Sequence, residues 1–281
     1  METVSSRSEE QSRPQPVSQT PGICIARLGL LIAIIPALVL LVLPIVVLAA
    51  RGIGTQGWRT MPDAAIGDAI YLSLVTTAVT VIVTLLTGTP LAYVLARWNF
   101  AGNRLLNTIV TLPIVLPPAV AGLALLLTFG RRGLLGQPLD ALGISIPFTA
   151  TAVIMAQVFV AAPFYIRAAQ VGFRSIAPEV EDAARVDGAN GWVLFRYIIL
   201  PLSGRALIAG LILAWARAIG EFGATIMFAG SLQGRTQTMP LLVYNIFERD
   251  IDAAIWTGLL LVAVALIALI ISQLLVPREN F

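Results

Sequence analysis

The sequence predicts an all-α integral membrane protein with six transmembrane helices, and three observations lead there. Apolar residues make up 58% of the 281 positions and charged residues only 12%, against roughly half and roughly a quarter in an average globular chain. Mean hydropathy is +0.89. Six apolar runs each reach the roughly 20 residues that a helix needs to cross about 30 Å of hydrocarbon.

Residues 1–24 are polar and rich in Ser, Gln and Pro, the composition of a disordered cytoplasmic tail. The first run, 25–50, is too long for a signal-peptide core and is expected to be a retained anchor helix. It is bent at Pro36 and Pro44. The other five runs lie near 66–95, 106–129, 147–166, 206–229 and 254–275, followed by a short tail at 276–281. The third carries Pro113, Pro117 and Pro118. These remove backbone donors and distort the helix, either to line a gate or as a packing kink. The fifth is interrupted by Arg217 and Glu221. It counts as a span because its neighbours then agree in sidedness.

Every basic residue is an arginine, and they sort by side. With the N-terminus inside, eleven fall in cytoplasmic segments, six in outer loops and Arg217 within the membrane. That bias follows the positive-inside rule and puts both termini in the cytoplasm. The expected location is therefore the plasma (inner) membrane, crossed several times.

Absent residues exclude whole classes of chemistry. Without lysine, a P-loop has nothing to reach the β/γ-phosphates, so this chain hydrolyses no ATP by that route. Without histidine there is no Ser-His-Asp triad and no histidine metal site. Cys24 is the only cysteine and cannot form an internal disulfide. The arginines are scattered, without basic clusters or interleaved aromatics, so no nucleic-acid partner is expected.

The longest cytoplasmic segment, 167–205, contains the most legible local structure. Pro178 suits a first helical turn. Glu179, Glu181 and Asp182 put negative charge at the positive end of that helix's dipole. Val180, Ala183 and Ala184 share one face, and Gly188 followed by Asn190-Gly191 stops the helix. At about ten residues it is too short to be stable alone in water. Its small-residue face suits docking by a soluble partner. The other reading, a helix lying on lipid, is opposed by its net negative charge.

The spacing is specific. Asp182-Ala183-Ala184, three residues, Gly188, nine residues, Ile198, one residue and Leu200-Pro201 resembles the EAA motif of ABC importer permeases. Asp182 stands where that motif usually has Glu, with Glu181 adjacent. The resemblance covers about 66–275 and implies a type I ABC importer permease fold with a cytoplasmic coupling helix. It implies that Glu181, Asp182, Ala183, Ala184, Gly188, Leu200 and Pro201 serve coupling to a separate ATPase. No cofactor is then expected in this chain; ATP and Mg belong to the ATPase subunit. A second run, Arg217 to Gly230 with Gly220-Glu221-Phe222-Gly223 inside it, then Gly234 to Pro240, resembles the oxyanion branch of these permeases, and most of all those for molybdate.

For the pathway the residues leave alternatives. Arg217 and Glu221 lie one turn apart, and buried charge is costly unless paired or watered. They form either a pore-facing pair that shapes passage of a dianion or a structural ion pair. Thr76 and the other hydroxyls of the second span either meet passing oxyanions or bond their own helix. Gly220 and Gly223 either bare backbone donors or allow tight packing. Arg217, Glu221, Thr76 and Pro117 are the pathway candidates.

The expected assembly is a homodimer in membrane lipid with two ATPase subunits inside and an oxyanion-binding protein outside, importing molybdate. The nearest alternative is the same machine carrying tungstate, sulfate or thiosulfate. The alternative class is an ion-coupled secondary transporter, which should show buried coupling acids and two related halves; Glu221 is one such acid, and no repeat is visible.

Overall fold

The computed structural model describes residues 21–275, with side chains over 33–270. The chain forms two units, 1–50 and 51–281. Helix α1, Pro21–Gly54, begins in the first and contains Pro36 and Pro44. The helix starts within the expected tail, at Pro21; the tail's first twenty residues and the tail at 276–281 lie outside the described residues.

The second unit is built on α2 (Asp63–Arg97), α3 (Asn103–Val115), α4 (Pro118–Phe129), α5 (Gly136–Ala141), α6 (Ala150–Arg174), α7 (Pro178–Val186), α8 (Gly191–Leu194), α9 (Leu200–Ile219), α10 (Gly223–Phe228), α11 (Met239–Phe247) and α12 (Ile251–Leu275). Among the described residues, five helical stretches are long and apolar enough to cross a membrane, or six if the bent pair α3–α4 is one span.

Helix α6 is the hub, packed against α2 on one side and α9 on the other. Small residues make this close approach possible. A Cβ at Gly88 of α2 would lie 2.9 Å from the Tyr165 ring, and one at Gly210 of α9 would lie 2.8 Å from the Ala168 Cβ. Buried polar groups are tied across the same seams, as membrane interiors require. The Thr80 hydroxyl donates to Gln157 Oε1 at 2.9 Å, and Thr89 bonds the Tyr165 hydroxyl at 2.5 Å.

Two of the expected spans are broken: the third, as its prolines imply, and the fifth, expected to run through 206–229. The third turns by 116° between α3 and α4. Leu116 and Pro117 adopt extended backbone there, and Pro118 opens α4. The proline ring at 117 cannot continue a helix, whereas Pro118 occupies a first-turn position where no N–H is needed. The fifth span does not run helically through 206–229. Helix α9 stops at Ile219, and α10 restarts at Gly223. The segment 167–205 is also more helical than expected: α6 continues to Arg174, and a five-residue π-helical turn, Phe195–Ile199, joins α8 to α9.

Candidate functional site

Two places bring the singled-out residues together, one at the end of the bundle where α6 terminates and one at the helix breaks.

At the first, α7 has the predicted anatomy. Pro178 is in its first turn, Glu179 and Glu181 follow, and it ends at Val186. Gly188 has φ +89°, the left-handed backbone that a side chain disfavours. The short helix is held from below. Ala184 belongs to the buried cluster formed by Leu95, Phe173, Ile176, Leu194 and Ile199. Glu181 turns inward, its side chain 10% exposed, and its Oε1 lies 2.7 Å from Arg97 Nη2. Arg97 also donates to the Ile176 carbonyl at 3.1 Å, and Arg174 donates to the Leu95 carbonyl at 3.2 Å. The ends of α2 and α6 are thereby tied to each other and to α7. Sequence reasoning missed Arg97, because nothing local in the chain connects it to a loop so far downstream.

The outward face of α7 is different. Asp182 and Ala183 are exposed. Arg185 lies 3.6 Å from both Glu181 and Asp182 and stays in solvent. Beside it runs an open groove of about 490 Å³ lined by Val180, Ala184, Asp187, Gly188, Ala189, Val193 and Ile198. Leu200 and Pro201 sit at the start of α9, one residue past the π turn. There the Leu200 N–H reaches the Phe195 carbonyl, five residues back, and Pro201 has no N–H to give. The Glu181–Ala184 segment, Gly188 and the groove therefore form one surface, while Leu200-Pro201 sets the entry angle of α9 beneath it.

The second place is where both breaks meet. A Cβ at Gly223 would lie 2.7 Å from the Pro118 Cβ, so α10 and α4 begin side by side. Pro117 is exposed at this junction. Arg217 occupies the last turn of α9, its side chain 28% exposed, and its Nη2 lies 2.7 Å from Glu221 Oε2. Glu221 is 1% exposed. Its other oxygen accepts the Ala224 N–H at 2.7 Å and so caps α10. Both carboxylate oxygens are used within the chain. Gly223 is small because Pro118 leaves no room, whereas Gly220 meets only its own Ala216 carbonyl, at 3.8 Å.

Thr76 lies apart from this junction. It is fully buried, and its hydroxyl is directed at the Ser73 carbonyl at 3.4 Å. Thr77, Thr87 and Thr89 likewise bond carbonyls of their own helix, at 2.7, 2.7 and 2.6 Å. A polar chain that sequence reasoning did not find links α3 to α6: Gln170 donates to Asn107 Oδ1 at 2.8 Å, and Asn107 donates to Asn103 Oδ1 at 2.6 Å. At the opposite end of α6, Arg131, Arg235, Ser145 and Thr149 line an open cavity of about 500 Å³. Among the described residues, no group of three or more His, Cys, Asp or Glu side chains is arranged to hold a metal.

Residues 88–280 match the family described as the binding-protein-dependent transport system inner membrane component. The chain belongs to this family. It is a multi-pass subunit of the inner membrane, an ABC importer permease and not an enzyme, and the ATPase of such a system is a separate chain. This membership replaces the ion-coupled alternative. The permease is 40% identical over 231 residues to the molybdenum transport system permease protein ModB of Mycobacterium tuberculosis, covering 82% of this chain and 88% of that one. It is 38% identical over 246 residues to the probable transport system permease protein NifC of Clostridium pasteurianum, covering 86% and 85%. The sulfate transport system permease protein CysW of Synechococcus elongatus is 35% identical over 261 residues, covering 92% and 89%.

Solved structures agree on the fold. A bacterial alginate ABC transporter, crystallised with an alginate-bound periplasmic protein, has a chain similar at TM-score 0.74 and 18% identity, covering 90% of this chain and 93% of that one. The inward-facing MetNI methionine ABC transporter is similar at TM-score 0.57 and 17% identity, covering 78% and 96%. The fold is that of the type I ABC importer permeases.

Proposed function

We propose that this permease imports molybdate, working as a homodimer with two copies of an ATPase on the cytoplasmic side and a molybdate-binding protein outside. The observation that carries the substrate is the relationship to permeases named for molybdenum transport, at 37–40% identity over most of both chains. The Arg217–Gly230 run supports the same reading. Sulfate is the second reading, favoured by the CysW relative at 35%.

In this reading α7 is the coupling helix. Asp182, Ala183 and the groove beside Gly188 form the face that meets the ATPase, while Glu181 and Ala184 hold the helix to the permease. ATP and Mg are used on the ATPase subunit, and this chain carries no cofactor. Both termini lie in the cytoplasm. Arg131 and Arg235 then face the outside, where guanidinium groups raise the local concentration of a dianion. The junction of the two breaks is the pathway element, with Pro117 at its exposed turn. There the Arg217–Glu221 pair holds α9 and α10 in register and presents no permanent anion site. A transporter must release what it binds, and both Glu221 oxygens are already engaged within the chain. Thr76 serves packing of α2.

The test is uptake of radiolabelled molybdate by cells expressing the permease with its neighbouring ATPase and binding protein, with unlabelled sulfate and tungstate as competitors. Saturable uptake that resists excess sulfate is the expected result. Uptake abolished by equimolar sulfate would assign the sulfate branch instead.

A further inference from the structure

Between the ends of α2 and α6 and the start of α3 lies an open cavity of about 650 Å³ that the transport reading leaves unused. Leu95 and Ala96 from the end of α2 line it, together with Asn99, Phe100, Arg104 at the start of α3, and Arg174 at the end of α6. It holds two guanidinium groups and no carboxylate. Among the described residues, neither arginine forms an ion pair. Arg174 spends one nitrogen on the Leu95 carbonyl, and the Arg104 side chain bonds none of the described residues. The nearby acid of α7, Glu181, is already engaged by Arg97 and Arg185. Among the residues that line it, the cavity therefore carries positive charge with no carboxylate, in a mostly polar wall that also includes Leu95, Ala96 and Phe100.

Its position narrows the ligand. It sits where two membrane-spanning segments end, and its rim is amphipathic. Trp98 is 59% exposed, and Phe100 and Leu105 are exposed beside it. Aromatic side chains at the end of a span occupy headgroup level, and basic pockets between spans bind anionic headgroups. A free oxyanion needs the arginines but gains nothing from the apolar rim; a lipid uses both.

We propose that this cavity binds the phosphate of an anionic lipid headgroup, with Arg104 and Arg174 as its ligands. A bound headgroup then bridges the ends of α2, α3 and α6. The end of α2 also anchors α7, through the Arg97–Glu181 pair, and the Arg174 bond to Leu95 ties α6 to that same end. Headgroup binding thus stiffens the frame on which the coupling helix rests. The inference rests on membership of the permease family, not on molybdate or on the direction of insertion.

The experiment uses the full chain, delipidated in neutral detergent and titrated separately with phosphatidylglycerol, phosphatidylcholine and inorganic phosphate. Lipid retention is read by native mass spectrometry and stability by thermal unfolding. Phosphatidylglycerol is expected to be retained and to raise the unfolding temperature, with little effect from the other two. Arg104→Gln should weaken phosphatidylglycerol binding about fivefold, the size expected for one arginine at a lipid surface. Arg104→Lys should keep most of the binding, and Arg131→Gln, at the other end of the bundle, should not change it. Equal retention of phosphatidylcholine, or wild-type affinity in Arg104→Gln, overturns the site. The same stabilisation by inorganic phosphate alone overturns the lipid as its ligand. Since no transport is measured and detergent exposes both faces, a failure of the molybdate or orientation reading leaves these outcomes unchanged.

Discussion

Two arginine–glutamate pairs, each at 2.7 Å, do opposite kinds of work in this permease. Arg97–Glu181 joins elements far apart in sequence, the end of α2 and α7. Arg217–Glu221 joins residues one turn apart across the gap between α9 and α10. Glu181 sits at a water-facing end and shares its charge with the exposed Arg185, whereas Glu221 is sealed, with its second oxygen capping α10. Strength and role therefore separate. The local pair keeps a broken helix satisfied, and the long-range pair fixes where α7 sits, and with it the ATPase-docking face proposed for it.

The sharpest way to break this contrast is to remove one charge at a time. Arg217→Met leaves Glu221 buried without a counter-charge, which costs about 3–5 kcal/mol. The measurement is membrane level and thermal unfolding, and a severe loss is expected. Adding Glu221→Gln should restore most of it, because the amide oxygen still accepts the Ala224 N–H. Molybdate uptake per assembled molecule should then be near normal. Uptake near zero with normal assembly would mean that Arg217 meets the substrate.

Arg97→Met should cost less, about 1.5–3 kcal/mol for a lost charged hydrogen bond, because Glu181 keeps Arg185 and some water. The larger effect is expected on coupling: uptake per ATP hydrolysed should fall further than the amount of folded protein. The exchange Arg97→Glu with Glu181→Arg should recover part of the ratio. Parallel losses of uptake and protein level, with no recovery, would reduce the pair to a plain structural contact.

The two glycines next to these pairs sharpen the same comparison. Gly223→Ala pushes a methyl group into Pro118 at the junction of the breaks, an overpacking that costs about 1–3 kcal/mol. Gly188→Ala meets no neighbouring atom but must adopt φ +89°, at about 1–2 kcal/mol. Gly188→Arg should in addition abolish ATPase docking, measured by co-purification. The smallest effect lies in the loop before α12, away from both pairs. Asp250 is held below its ordinary value of 3.8, first by the Ala253 N–H at the start of α12 and then by the Thr60 hydroxyl. Its contribution is complete above pH 3.8 and is lost as the pH falls through the lowered value. Asp250→Asn should remove that part of the acid sensitivity of unfolding, through a small loss of stability at neutral pH and no change below the lowered value.

The limits of legibility follow the same division. Helix α7 was readable because proline, early acids and a stopping glycine are local signals. The Arg217–Glu221 pair was readable because its members are one turn apart. The break between them was not, since the two charges weakened the span's hydropathy without marking where the helix stops; only Pro118 pressed against Gly223 gives that glycine its reason. The three prolines did announce the other break, but not its 116° turn. Arg97 counted only as a topology signal, because its partner is brought to it by α6. For the threonines of α2 the sequence left two readings open, and most of their hydroxyls bond inside the helix.

Whether α7 receives the ATPase is tested most directly by cross-linking in the assembled transporter. With Cys24→Ser removing the single native thiol, Ala183→Cys places a reactive group on the exposed face of α7 and Ala184→Cys on its buried face. A short bifunctional reagent should join Ala183→Cys to the ATPase, with a yield that changes when ATP is added, and should leave Ala184→Cys unjoined. Failure of Ala183→Cys to cross-link in a complex that still transports, or its labelling by a membrane-impermeant thiol reagent from outside the cell, would contradict α7 as the coupling helix.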